Sequence, residues 1–293
     1  MSGDPFQLER SGVRAAFDRA GVTYEAAAIL QAKVGEELLE RLAPFDFKPA
    51  VILDLGAGTG RLAGELKRRY RRSRVIATDL ALGMLRQASR HQGWWRRFER
   101  VCADAARLPL TSASVDVVFS NLMLQWCDPP DIALAEVRRV LKPHGFLAFS
   151  TFGPDTLKEL RGAWSQADQH THVNRFLDMH DVGDALVRAG LTEPVLDVER
   201  LTVTYADVMS LMRDLKSIGA RNVTSGRGRS LTGKGRLERM TESYEAHRRD
   251  GRLPATYEVI YGAAWAGGGA ASARSSGAEA HISPAQIRRR GHT

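Results

Sequence analysis

Ten residues constrain this chain more than any others: Val51-Ile-Leu-Asp-Leu-Gly-Ala-Gly-Thr-Gly60. An apolar strand feeds a turn of alternating glycines, which feeds a helix. Glycine has no Cβ, so backbone in such a turn can approach a ligand closely. The first amides of the helix then face an anionic group, such as a carboxylate. Asp54 stands two positions before Gly56, and Asp79 closes the next strand, 19 residues after Gly60. At that spacing a carboxylate accepts hydrogen bonds from ribose hydroxyls. The dinucleotide fingerprint G-x-G-x-x-G needs its third glycine one residue later than Gly60; Gly64 falls further along the helix. The tight triple Gly56, Gly58, Gly60 with the acid before it fits S-adenosylmethionine better than NAD. A glycine turn in an unrelated α/β protein is the remaining alternative.

The surrounding rhythm places this turn at the start of a doubly wound α/β fold. Strands are expected at Val51 to Leu55, Val75 to Thr78, around Cys102, at Val115 to Ser120 and at Phe146 to Thr151. Helices are expected at Arg61 to Tyr70, Gly83 to Arg90 and Asp131 to Leu141, the last started by Pro129-Pro130. Short apolar strands alternating with helices imply a mostly parallel sheet covered on both faces. Before it, residues 1–49 read as a helical lid, with one helix from Tyr24 to Leu42 capped by Thr23 and ended by Pro44 and Pro49. Residues 50–152 form the cofactor-binding core. Residues 153–265 read as a helical insertion or cap followed by strands that complete the domain. Helices are expected at Thr156 to Ala167, Asp181 to Ala189, Asp207 to Ile218 and Leu237 to Arg249, and strands at Val195 to Val203 and Tyr257 to Tyr261. Arg221 to Gly235 reads as a mobile loop, and residues 266–293, rich in Gly, Ala and Ser, as a disordered tail.

Composition narrows the setting. With 293 residues, 43% hydrophobic and 26% charged, the chain has ordinary globular composition, which excludes collagen, coiled coil or disorder as its main state. The formal net charge of +8 favours an acidic partner. Cys102 and Cys127 are the only cysteines and form no C-x-x-C pair, so neither a disulfide framework nor a thiolate zinc site is expected. No apolar run reaches the ~18 residues of a membrane span, and residues 1–10 lack a signal-peptide core. A cytoplasmic protein is expected. His170, His172 and His180 are close in sequence, but without a cysteine or helical pair no metal is expected. Trp94-Trp95 beside Arg96-Arg97 reads as a half-buried aromatic pair at a basic helix end, not as a nucleic-acid platform.

The core resembles class I methyltransferases. Val51 to Gly60 resembles their first motif and Asp79 the acid of their second strand. Ala103-Asp104-Ala105 resembles the loop that meets the adenine, Phe119-Ser120-Asn121 the end of the fourth strand near the transferred methyl, and Leu141-Lys-Pro-His-Gly145 the turn before the fifth. The resemblance implies S-adenosylmethionine as cofactor, held by Asp54, Gly56, Gly58, Gly60, Asp79, Leu80, Asp104, Ala105 and Asn121.

The flanks resemble a narrower family, the malonyl-[acyl-carrier protein] O-methyltransferases (the BioC enzymes of biotin synthesis). The resemblance rests on Phe17 to Ala20, Thr23 to Glu25, Ile29 to Gln31, Thr151 to Arg161, Phe176 to Asp184, Leu211 to Ala220 and Leu253 to Tyr261. Ala263-Ala264-Trp265 departs from the family's His-Ala-Trp. The resemblance implies methyl transfer to the free carboxylate of a malonyl thioester, on acyl carrier protein or coenzyme A. A carboxylate is already ionised at pH 7, so no catalytic acid or base is required. Tyr24 and Asn121 are positioning candidates. Tyr24, Arg175, Arg213 and Arg221 are candidates to hold the malonyl carboxylate, the arginines through two-pronged contacts. A quinone-type methyltransferase and a non-catalytic S-adenosylmethionine-binding assembly factor are the alternatives. No nucleic acid or membrane partner is expected.

Overall fold

The computed structural model describes residues 8–45, 48–95, 97–220, 224 and 233–267. The three glycines and the two acids meet at the carboxyl ends of two inner strands of a seven-stranded sheet. Its strands are β1 (Val51–Leu55), β2 (Arg74–Asp79), β3 (Glu99–Cys102), β4 (Val115–Asn121), β5 (Leu141–Phe152), β6 (Leu191–Tyr205) and β7 (Leu253–Ala266). They lie in the order β3-β2-β1-β4-β5-β7-β6. The first five are parallel, while β7 runs antiparallel to both β5 and β6. Chain order reverses between β1 and β4, and in open α/β sheets ligands bind outside the carboxyl ends of the strands at that reversal.

The continuous apolar character of β1 follows from burial on both faces. Ile52 packs on one side with Val34 and Leu38 of α3 (Ile29–Glu40) and Ala63 and Leu66 of α4 (Arg61–Arg69). Leu53 and Leu55 pack on the other with Leu134 and Val137 of α6 (Pro130–Val140) and Leu186 of α8 (Met179–Arg188). Between these lies α5 (Leu82–Gln87), followed by a turn of 3₁₀ helix over Ala88–His91. The expected turn at 142–145 is absorbed into β5 as an irregularity: the pairing with β4 jumps from Val115/Leu141 to Val117/Phe146, with His144 at φ 61°. Beyond β5, α7 (Lys158–Ala167), α9 (Val208–Ser217) and α10 (Lys234–Glu245) share a third cluster built on Leu160, Trp164, Leu211, Met240 and Tyr244.

Three local expectations need correcting. The N-terminal helix is not continuous: α1 (Arg10–Ala20) and α2 (Tyr24–Ala27) precede α3, and the break falls at Ala28 (φ −85°, ψ 39°). Thr23 does not cap α2; its hydroxyl donates to the carbonyls of Ala20 (3.2 Å) and Ser217 (3.1 Å). Trp94 and Trp95 are 81% and 90% exposed. Phe98 occupies the buried place that the pair was expected to share, and its carbonyl receives Gln92 Nε2 at 2.7 Å. Most of the loop expected at Arg221 to Gly235, and the tail beyond Gly267, lie outside the described residues. No helix among the described residues is long and apolar enough to cross a membrane.

Candidate active site

The glycine turn hangs from the end of β2. Gly56 and Ala57 donate their N–H groups to the Thr78 carbonyl at 2.8 and 3.0 Å. Gly56, Gly58 and Gly60 all have positive φ (78°, 54° and 78°), the left-handed region that disfavours a side chain. Their surroundings differ. A Cβ on Gly56 would lie 2.3 Å from Met123 Cγ, and one on Gly60 2.6 Å from Ala88 Cβ. A Cβ on Gly58 would meet nothing within 4 Å. Gly58 therefore faces free space, while Gly60 serves close packing.

That space is a cavity of about 900 Å³, partly open to solvent. Gly56, Gly58, Asp79, Leu80, Asp104, Ala105, Asn121 and Tyr24 line it, so eight residues chosen from sequence come together there. Asp79 Oδ2 accepts the Gly58 N–H and Oδ1 the Ala81 N–H, each at 2.8 Å. Burial raises the Asp79 carboxyl above its ordinary range, while these two N–H groups oppose the rise. Asp104 Oδ1 accepts the Ala106 N–H at 2.8 Å, closing a side-chain turn at the end of β3. Asn121 is spanned on both sides: its Oδ1 accepts from Ser150 Oγ at 2.8 Å, and its Nδ2 donates to the Gln31 carbonyl at 3.0 Å. It thereby ties the ends of β4 and β5 to α3.

The other sequence candidates lie elsewhere. Gly60 does not line the cavity. Asp54 lies beneath the turn, 1% exposed, and lines an adjoining cavity with Tyr24, Gly56, Gly58, Gln31 and Asn121. Burial first, then the nearby Asp79 charge, pushes its carboxyl up to about 8. Arg213 lines a further cavity on α9. Arg175 is exposed and lines none of these cavities, so the structure does not bring it to the site. Arg221 lies outside the described residues. Ala263 pairs with Ala148 and Val195 within the sheet and lines none of the three. His172 donates from Nε2 to Asp168 Oδ1 at 2.8 Å and stacks on Trp164, whereas His180 is exposed.

Sequence reasoning missed the walls supplied by the N-terminal helices and by the segment after β4. Arg10, Val13 and Phe17 of α1 line the cofactor cavity, as do Met123, Trp126 and Cys127. Phe17 meets Trp126 edge to face, with centroids 5.0 Å apart. Asp18 Oδ1 accepts the Gly83 N–H at 2.7 Å, so α1 docks on the first turn of α5. Glu25 hydrogen-bonds His91, which fastens α2 beside the glycine turn. Arg10 Nη1 reaches Asp104 Oδ2 at 3.5 Å across the mouth. Phe17 stood in a recognisable motif, but nothing in its spacing announced a contact with Trp126.

Trp126 lines a second cavity as well, of about 1480 Å³, between α3, α7 and α9. Among the described residues, its charged lining is Arg213 and Lys216, with no Asp or Glu. The cofactor cavity and a cationic, largely apolar chamber thus share Trp126 in their walls.

A sheet of this order, with a glycine turn after β1 and an acid ending β2, defines a class I methyltransferase whose methyl donor is S-adenosylmethionine. The free space at Gly58, beside the Asp79 carboxylate, fits that cofactor. A family described as "Methyltransferase domain" matches residues 53–149. A malonyl-[acyl-carrier protein] O-methyltransferase of Methylovorus sp. (strain MP688) is 54% identical over 271 residues, covering 90% of this chain and 92% of that protein. Its counterpart in Halorhodospira halophila (strain DSM 244 / SL1) is 47% identical over 290 residues, covering 98% of each. The fold is also that of phosphoethanolamine N-methyltransferase 2 of Haemonchus contortus, solved with S-adenosyl-L-methionine. That match has TM-score 0.52 and 17% identity, over 84% of this chain and 57% of that one. The chain belongs to the malonyl-[acyl-carrier protein] O-methyltransferase family.

Proposed function

We propose that this chain methylates the free carboxylate of a malonyl thioester carried by acyl carrier protein. The observation that carries this reading is the chamber that borders the cofactor cavity at Trp126, in which Arg213 and Lys216 are the only Lys, Arg, Asp or Glu side chains among the described lining residues. Such a chamber suits an anionic acceptor on an apolar arm.

S-adenosylmethionine supplies an electrophilic methyl group. The chain's own residues do the binding and aligning. In this reading Asp79, Asp104 and Ala105, all on the wall of the cofactor cavity, serve the ribose hydroxyls, the exocyclic amine and a ring nitrogen respectively. Asp54 stays largely protonated near neutrality, so its buried carboxyl is a hydrogen-bonding group and not a fixed charge. Tyr24 lines both the cofactor cavity and the adjoining cavity beside the glycine turn. Burial, and then the Asp79 charge, raise its phenol above the ordinary value, so it remains a donor at pH 7. That donor can hold an acceptor carboxylate in line with the methyl. The helices α1 to α3, acting as a lid, exclude water that would otherwise shield the carboxylate. No proton has to be removed from the acceptor, so no base is required. The product ester is neutral, and a neutral chain end enters an apolar enzyme tunnel at far lower cost than a carboxylate.

Labelled methyl from S-adenosylmethionine should appear on malonyl-acyl carrier protein and not on acetyl-acyl carrier protein. Equal labelling of both, or of neither, would overturn the reading.

A further inference from the structure

Trp94 and Trp95 lie in the segment that leads from the 3₁₀ turn into β3. Among the described residues no other large hydrophobic side chain is as exposed. The segment is nonetheless anchored. Phe98 is buried with Ala63 and Leu66 of α4, and Gln92 Nε2 holds its carbonyl. The two indoles thus stand in water on a fixed base. Beside them, from the last turn of α4 into β2, the chain reads Lys67-Arg-Arg-Tyr-Arg-Arg-Ser-Arg74. Since β2 and β3 are parallel neighbours, both segments reach the same end of the sheet. Arg74 Nη2 pairs with Glu99 Oε2 at 2.6 Å across the two strand starts.

Part of this charge serves the fold. Lys67 Nζ donates to the carbonyls of Arg71 (3.3 Å) and Ser73 (2.5 Å), and Arg69 Nη1 to that of Leu39 (2.8 Å). Cations in a last helical turn also suit the helix dipole. Glu65 and Glu99, the acids that border the two segments, are both paired with arginines. Arg71, Arg72 and Arg97 are different: they are exposed, and their side chains form no ion pair with a described residue.

We propose that this end of the sheet docks on an anionic lipid surface, with Trp94 and Trp95 at the headgroup level and Arg71, Arg72 and Arg97 against the lipid phosphates. Indole rings favour the membrane–water interface, and basic residues beside them are drawn to anionic leaflets. Shape decides against a nucleic acid. Single strands are bound in a groove whose aromatic groups stack successive bases, and none of these five residues lines any of the three cavities. A lipid surface is broad and meets a projecting segment without a groove. The expectation of no membrane partner followed from the lack of a spanning run, and surface docking needs none. Orientation follows from β2, which begins at Arg74 beside the patch and ends at Asp79 in the cofactor cavity. The docked protein therefore keeps its cofactor site at the far end of the strand, and the inference does not depend on the identity of the methyl acceptor.

Co-sedimentation with vesicles tests this. Vesicles of phosphatidylglycerol and phosphatidylcholine in equal parts should bind the wild type, and pure phosphatidylcholine vesicles should not. Salt that shortens the Debye length from ~10 Å to ~3 Å should weaken the binding. Trp94→Ser/Trp95→Ser should weaken it about tenfold or more, and Arg71→Ser/Arg72→Ser about fivefold per arginine. Indole emission should shift to the blue when anionic vesicles are added to the wild type, and should not in the tryptophan variant. Both variants should keep wild-type affinity for S-adenosylmethionine, because the altered positions are exposed and away from the cavities. Binding to neither vesicle, equal binding to both, or undiminished binding by the tryptophan variant overturns the proposal. So does tighter binding of a single-stranded oligothymidylate than of the anionic vesicles, which would assign the patch to a nucleic acid. A dimer in ultracentrifugation that the tryptophan variant abolishes would assign it to a second copy of this chain and overturns it equally.

Discussion

The carboxylate of Asp79 accepts the Gly58 N–H at 2.8 Å, so the acid that ends β2 also shapes the glycine turn that follows β1. Its second oxygen holds the Ala81 N–H just before α5. One side chain therefore builds the floor of the cofactor cavity and lines it. Losing a charge-assisted hydrogen bond costs about 1.5–3 kcal/mol. Asp79→Ala should weaken S-adenosylmethionine binding tenfold or more by calorimetry. It should also lower Tm, because two backbone N–H groups lose their acceptor. An unchanged affinity would assign the ribose contact to another residue.

The glycines separate into two kinds of prediction. Gly60→Ala places a methyl 2.6 Å from Ala88 Cβ at a φ of 78°. Overpacking of this sort costs about 1–3 kcal/mol, so Tm should drop even without cofactor. Gly58→Val meets no protein atom within 4 Å of its Cβ and pays mainly backbone strain, about 1–2 kcal/mol. Its branched side chain fills the cofactor's space, so affinity should fall further than in Asp79→Ala while stability falls less than in Gly60→Ala. Calorimetry and thermal unfolding on the same two proteins check the split.

The parallel core was legible because its signals are local. Continuous apolar strands, glycines at a fixed spacing and an acid at the next strand end all read out within a short window. They led directly to Gly56, Gly58 and Asp79 around one cavity, to which the family resemblance added Asp104. The lid was harder. Tyr24 was found, but the break at Ala28 was not, since Ala and Leu on either side suit one helix as well as two. Phe17 against Trp126 and Asp18 against Gly83 join residues far apart in sequence, and no periodicity encodes such pairs. Arg175 and Arg213 show the same limit. Both are exposed cations in the insertion, and only tertiary packing puts Arg213 on a chamber wall and leaves Arg175 away from it.

The raised carboxyl of Asp54 makes stability depend on pH. Its ordinary value is 3.8, and the fold pushes it up to about 8. The folded state therefore holds a proton that the unfolded state releases. That contribution is fully present below about pH 4 and is lost as pH rises toward 8. Asp79, raised in the same sense, adds to the slope. Asp54→Asn keeps a neutral, similarly shaped group, so its Tm should fall less between pH 4.5 and pH 8 than that of the wild type, in cofactor-free protein. Parallel Tm profiles for the two would show that Asp54 is charged in the folded state.

Trp126 separates the two cavities and carries the lid contact with Phe17. An aromatic pair of this geometry adds about 0.5–1.5 kcal/mol beyond the area it buries. Trp126→Ala should therefore do more than loosen one site. It removes the wall between donor and acceptor, frees the inner face of α1 and lets water reach the junction. Affinity for S-adenosylmethionine should fall severalfold and KM for the malonyl acceptor should rise. The larger loss, about a hundredfold, should be in kcat, since misplacing reacting groups by about 1 Å is worth that much. Trp126→Phe restores the edge-to-face partner and much of the wall, so it should recover most of kcat. Steady-state kinetics with both substrates varied tests the assignment. A Trp126→Ala enzyme with normal kcat and only a raised acceptor KM would make Trp126 a wall of the acceptor chamber alone.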